Sequence, residues 1–182
     1  MFRAESSPGQ VITKERFTAR NRDAIRYLWV IYLGLNLVQI VLLMLGGMSL
    51  FDAACHAFGT VSTSGYSPYN ASIGHYGSAY VDWIVILFMF LGGVTFMLFF
   101  FLAQREWKVV WRYTELRWYV SLTVAFCVGV SLILWTQNTY QPLDALRYGT
   151  FQVVSLLTTT GFTTADYELW PQAAQMMLFL VC

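Results

Sequence analysis

The sequence reads STSGYS at residues 62–67 and TTTGFT at residues 158–163. The two stretches match in class at every position: three hydroxyl residues, a glycine, an aromatic ring and a further hydroxyl residue. Each follows a short apolar segment opened by an aspartate, Asp52 in FDAACHAF (residues 51–58) and Asp144 in PLDAL (residues 142–146), and each precedes a longer apolar run. A single run of this kind is an ordinary turn. Two of them, in the same place within the same order of elements, make an internal repeat. Its unit is a crossing helix, a short helix that enters and stops, a glycine-containing loop, and a second crossing helix.

Outward from the loops, the charge pattern marks the crossings. Residues 27–51, 83–104 and 118–143 contain no Asp, Glu, Lys or Arg, and each stretch exceeds the roughly 20 residues that a helix needs to cross hydrocarbon. Helices are predicted over 27–50, 82–104 and 118–137, with short helices over 51–61 and 142–157. A further run over 170–182 rises only about 20 Å as a helix and is expected to be partial. The expected fold class is an all-α integral membrane protein of incomplete helix, re-entrant helix, loop and helix repeats. Composition agrees: 57% of the 182 residues are hydrophobic and 12% charged, against about 45–50% and 25% in soluble domains.

All of the 11 Lys and Arg residues except Arg147 lie within 1–26 or 105–117. Basic residues beside spans stay in the cytoplasm, so an N-terminal linker (1–26) and the 105–117 loop are expected inside, with both glycine loops entering from outside. Trp29, Trp83, Trp118, Trp135 and Trp170 fall near the expected span ends, where amphipathic rings favour the interface. No cleavable signal peptide is expected, because a polar stretch precedes the first apolar run. A net charge of +1 gives no surplus for a nucleic-acid backbone. Cys55, Cys127 and Cys182 have neither disulfide nor zinc spacing.

The repeat unit points to a cation. Irregular backbone at bilayer depth survives only where it is buried in protein or lines a watery cavity. A short helix entering from outside turns its negative C-terminal end toward the membrane centre. Glycine lets successive carbonyls turn to one side, and rings of carbonyls replace the hydration shell of a monovalent cation. The small hydroxyl residues leave the axis uncrowded, and the aromatic ring braces the loop from behind. Asp52 and Asp144 read as helix caps, His56 and His75 as satisfied polar residues. Gly46, Gly47, Gly92 and Gly93 read as close-packing positions, and Phe96, Phe99, Phe100 and Phe101 as lipid or packing surface. Two other classes compete: an intramembrane enzyme using Cys55, His56 or His75, which lacks a buried carboxylate or lysine in the spans to complete an acid–base set, and a purely structural membrane module.

The stretches GMSLFDAACHAFGTVSTSGYS (47–67) and GTFQVVSLLTTTGFTTADYELWP (149–171), with FRAESSPG (2–9) at the start, resemble the Trk/Ktr/HKT superfamily of potassium transporters, most closely the bacterial TrkH-type membrane subunit. The resemblance implies four repeats around one pore, of which this chain would carry the second and part of the third. It implies K+ as the transported ion and no cofactor, with Thr63, Ser64 and Gly65 in one filter and Thr159, Thr160 and Gly161 in the next. Tyr66 and Phe162 match the aromatic that follows each filter glycine. Ser64 stands where glycine is common, and Tyr66 where phenylalanine is common. Implied surroundings are the bacterial inner membrane and its lipid, the remaining repeats, a homodimer, and a cytoplasmic nucleotide-binding regulatory subunit such as TrkA. One and a half repeats cannot encircle an ion, so the expectation is a non-conducting fragment of a potassium uptake protein. Two copies completing one pore, and a fragment of a sodium-permeable relative, are the transport alternatives.

Overall fold

A computed structural model describes residues 14–94, 98–99 and 113–181, with side chains from Ile25 onward. The described residues are helical with no strand: α1 (Lys14–Leu45), α2 (Leu50–Val61), a 3-10 turn (Ser72–Tyr76), α3 (Ala79–Gly92), α4 (Thr114–Thr136), α5 (Pro142–Leu157), a second 3-10 turn (Tyr167–Leu169) and α6 (Gln172–Val181). The Ile25–Leu45 part of α1 and all of α4, 21 and 23 residues long, are apolar enough to cross a bilayer. Their outer faces carry exposed apolar side chains, among them Trp29, Leu33 and Leu37 on α1 and Trp118, Val124 and Leu132 on α4.

Local chemistry sets the short helices. Ser49 caps α2: its Oγ accepts from the Asp52 N–H at 3.2 Å and donates to Asp52 Oδ2 at 2.8 Å, a reciprocal arrangement that satisfies an orphan donor of the first turn. That hydrogen bond holds the Asp52 carboxyl below its ordinary value of 3.8. In α5, Pro142 takes the first helical position, where a missing N–H is harmless.

Two expected boundaries are corrected. The helix placed at 27–50 begins at Lys14, inside the stretch read as linker, and stops at Leu45. Residues 14–26 are charged but rich in Ala, Arg, Lys and Glu, which favour helix as much as apolar residues do; charge marks the membrane edge, not the helix end. At the other end Gly47 adopts φ +92°, so it is a turn residue and not a packing one. The helix placed at 82–104 ends at Gly92, with Gly93 closing the turn; Leu98 and Phe99 are helical again, while residues 95–97 and 100–104 lie outside the described residues. The break follows from a Gly–Gly pair, which weakens a helix and here sits in close packing. A Cβ on Gly92 would stand 3.3 Å from the Thr60 and Val61 carbonyls, and one on Gly93 would stand 2.7 Å from Thr158 Cγ2. The expected linker residues 1–13, loop residues 105–112 and Cys182 also lie outside the described residues.

Within each repeat the three helices pack on one another, α1 with α2 and α3, α4 with α5 and α6; α3 against α5 joins the repeats. One core cluster runs through both, including Leu43, Val81, Met89, Val130, Phe151 and Phe162. At the α3–α5 seam Arg147 lies 3.5 Å from the buried Asp82 and 3.1 Å from Asp144. Trp170, expected at the lipid interface, is 4% exposed and packs edge-on against Tyr140 at 6.4 Å between ring centroids.

Candidate ion-binding site

Both glycine loops leave the C-terminus of a short helix, and both fold back on it in one hydrogen-bond register. In the first, Ser62 N–H donates to Phe58 O (3.1 Å), Thr63 N–H to Thr60 O (3.1 Å), and Ser64 and Gly65 N–H both to Gly59 O (3.0 and 3.1 Å). In the second, Thr158 N–H donates to Val154 O (3.0 Å), Thr159 N–H to Leu156 O (2.9 Å), and Thr160 and Gly161 N–H both to Ser155 O (2.8 and 3.3 Å). The hydroxyls repeat as well. Ser62 Oγ donates to Phe58 O and meets Ser64 Oγ at 3.0 Å. Thr158 Oγ1 donates to Val154 O at 2.8 Å and meets Thr160 Oγ1 at 2.8 Å. Donors and leading hydroxyls thus point back at the helix, satisfying carbonyls that a helix end leaves open.

The carbonyls go elsewhere. Among the described residues, no backbone N–H donates to the carbonyl of Thr63, Ser64, Gly65, Thr159, Thr160 or Gly161. Backbone hand explains their direction. Thr63 (φ +51°) and Gly65 (φ +65°) are left-handed, and so are Thr159 (φ +57°) and Gly161 (φ +82°). Residues of one hand in an extended run turn successive carbonyls to opposite sides; alternating hands turn them to one side. Glycine adopts this region freely, but a β-branched threonine there is an outlier. Such strain, of order 1–3 kcal/mol per residue, persists where the surroundings over-determine it and gathers at ligand sites. It occurs at the same position in both loops.

The fold also brings the two loops together. A Cβ placed on Gly65 would overlap the Thr160 carbonyl oxygen, so glycine is required there on steric grounds as well as by its φ. The 3-10 turn of the first repeat clips onto the segment leaving the second loop: Gly74 N–H donates to Thr163 O at 3.1 Å, and Thr163 N–H to Ser72 Oγ at 3.3 Å. A Cβ on Gly74 would come within 2.9 Å of Thr164 O. Sequence reasoning missed this clip; Gly74 within SIGHYG was its one visible signal.

The expected braces divide. Phe162 is fully buried behind the loops, with the His56 ring 5.8 Å away between centroids and its Cζ 3.1 Å from where a Cβ on Gly59 would stand. Tyr66, its counterpart, is 73% exposed. Ser64, Thr159 and Gly161 are exposed, Thr63 and Gly65 half-buried, and Thr160 buried. Of the residues weighed for acid–base chemistry, His56 is buried on Ser67 and the Asp52 carbonyl, His75 is exposed and stacked on Tyr69 at 4.0 Å, and Cys55 is half-buried. Among the described residues no three His, Cys, Asp or Glu side chains form a metal-holding group.

Paired helices that stop short, each preceded by an apolar helix long enough to span and continued by a loop whose first four N–H groups turn back while its central carbonyls take no backbone donor among the described residues, define a membrane protein of the pore-loop class. Comparison with known proteins takes this one step further. The family described as TrkH, cation transport protein, matches residues 17–182, and the chain belongs to that family. It is 34% identical over 180 residues to the Trk system potassium uptake protein TrkH of Salmonella typhimurium, covering 98% of this chain and 37% of the relative. The Halomonas elongata protein of the same name is 34% identical over 182 residues, covering 99% of this chain and 37% of the relative. The crystal structure of the potassium transporter TrkH from Vibrio parahaemolyticus superposes with a TM-score of 0.82 at 32% identity, over 89% of this chain and 36% of that one. The chain therefore spans 37% of the length of these curated relatives.

Proposed function

We propose that these residues supply two of the filter loops of a potassium uptake transporter, and that the backbone carbonyls of Thr63, Ser64, Gly65, Thr159, Thr160 and Gly161 help to replace the water around K+ as it passes inward. The observation that carries this reading is the pair of juxtaposed loops in which the first four N–H groups of each are bound to its own helix and, among the described residues, six carbonyls take no backbone N–H donor. Oxygen dipoles without fixed charge suit a monovalent ion, which must bind well enough to shed water and weakly enough to leave.

The rest of the assignment follows from the family and from charge. The chain crosses the bacterial inner membrane several times with its basic N-terminal segment in the cytoplasm. Further repeats of the same transporter complete the ring beside Tyr66 and Gly161, the intact protein is a homodimer, and a TrkA-like nucleotide-binding subunit regulates it from the cytoplasm. It acts as a transporter and not as an enzyme. The test is rubidium tracer uptake by full-length parent carrying Gly65→Ala or Gly161→Ala, in cells lacking other potassium uptake. Both variants are expected to lose at least tenfold in uptake at normal membrane abundance, because alanine disfavours each positive φ. Unchanged uptake in both would overturn the reading.

A further inference from the structure

Behind the two loops lies one side chain that touches the chain leaving each of them. His56, on the second turn of α2, is fully buried. Its Nδ1 lies 2.8 Å from the Asp52 carbonyl oxygen, and its Nε2 lies 3.1 Å from Ser67 Oγ. A carbonyl can only accept, so in the neutral ring Nδ1 carries the proton and Nε2 accepts from the Ser67 hydroxyl; the tautomer is assigned from these partners. Ser67 is two residues beyond Gly65, and its Oγ also accepts from the Tyr69 N–H at 3.2 Å, so both hydrogen-bonding functions of that hydroxyl are committed. The same imidazole lies against Phe162, the residue after Gly161. Tyr76 closes its outer side edge-on at 5.7 Å.

The second repeat holds its loop in another way. There Ser155 Oγ donates to the Phe162 carbonyl at 2.7 Å. Gly59 is the matching residue of the first repeat, and the space a side chain would need there is taken: a Cβ would lie 2.8 Å from the Tyr66 carbonyl oxygen. The first loop therefore has no equivalent of the Ser155 hydrogen bond; the His56–Ser67 pair ties its outgoing segment to its helix nearest the loop, and Tyr69 OH, donating to Asp52 Oδ2 at 3.2 Å, ties it two residues further on.

We propose that His56 is a positioning residue for ion selection: through Ser67 it fixes the outgoing segment of the first loop, and through Phe162 it keeps that segment in register with the second loop. A carbonyl cage discriminates between K+ and Na+ only while its oxygens hold their spacing, so loosening the brace lowers selectivity before it abolishes passage. The inference rests on the filter reading above.

The test measures the K+ over Na+ uptake ratio of full-length parent carrying Ser67→Ala, Ser67→Thr, His56→Phe, and Ser67→Ala with His56→Phe. Ser67 is half-buried, so Ser67→Ala removes one hydroxyl without opening the core. The ratio is expected to fall about fivefold in Ser67→Ala and in His56→Phe, the scale of one lost hydrogen bond. The double variant should fall no further, since both changes remove the same bond, and Ser67→Thr, which keeps the hydroxyl, should stay within twofold of the parent. A ratio unchanged in Ser67→Ala, or additive losses in the double variant, would overturn the assignment of His56 alone, provided Gly65→Ala and Gly161→Ala still lose uptake. Uptake surviving in both glycine variants would overturn the filter reading and this inference together.

Discussion

The first and second loops share their backbone but not their surroundings. Of the six matched positions only the threonine at 63 and 159 and the glycine at 65 and 161 are identical. Even so, φ signs, N–H partners and the leading hydroxyl contacts coincide. A shared class of residue at each position is enough to set this local geometry, because small hydroxyl residues can cap the helix end in either loop. What differs is what each loop leans on. Gly65 abuts the Thr160 carbonyl, whereas a Cβ on Gly161 would meet nothing within 4 Å. Phe162 is buried against the first repeat, whereas Tyr66 is exposed. The seam is therefore directional: the first loop meets it through its glycine and the second through its aromatic ring.

That asymmetry can be broken at its strongest point first. Phe162→Ala should destabilise the chain by about 3–5 kcal/mol in detergent, as loss of a buried aromatic does, while Tyr66→Ala should change it by less than about 0.5 kcal/mol; thermal unfolding followed by tryptophan fluorescence reads both. Equal losses would mean that Tyr66 is covered within this chain. Next in size are the glycines. Gly65→Ala combines an unfavourable φ with backbone overlap and should cost about 3 kcal/mol, against roughly 1–2 kcal/mol for Gly161→Ala, where only φ opposes the change. The same unfolding assay should rank them in that order, and a reversed order would remove the directional seam. Smallest is Ser155→Ala, expected to cost about 1 kcal/mol through the lost hydrogen bond to the Phe162 carbonyl and to speed amide exchange at Thr163 without affecting Ser67.

Much of this was legible in the sequence, and the exceptions have physical reasons. Two of the three uncharged stretches coincide with helices long enough to span, the 83–104 stretch does not, and the doubled STSGYS and TTTGFT stretches fall on the loops that follow the two short helices. Gly65 and Gly161 were readable because positive φ favours glycine; Thr63 and Thr159 in the same region were not, since local preference argues against it and only the enclosing fold imposes it. The seam left little trace, because Gly59 and Gly74 meet the second repeat across more than eighty residues of chain and follow no helical or strand period. Arg147 was visible as the lone basic residue of the outer intervals, but its partner Asp82 lies on another helix. Trp170 misled because an indole at a span end fits lipid and protein equally well; the Tyr140 ring beside it decides for protein.

In the proposed function the carbonyls of both loops face one cation. Rubidium anomalous diffraction from crystals of full-length parent tests it most directly. An anomalous peak is expected in contact with carbonyl oxygens from both the 63–65 and the 159–161 stretches. Rubidium bound elsewhere along the pore, with neither stretch in contact while the same preparation still transports rubidium, would contradict it.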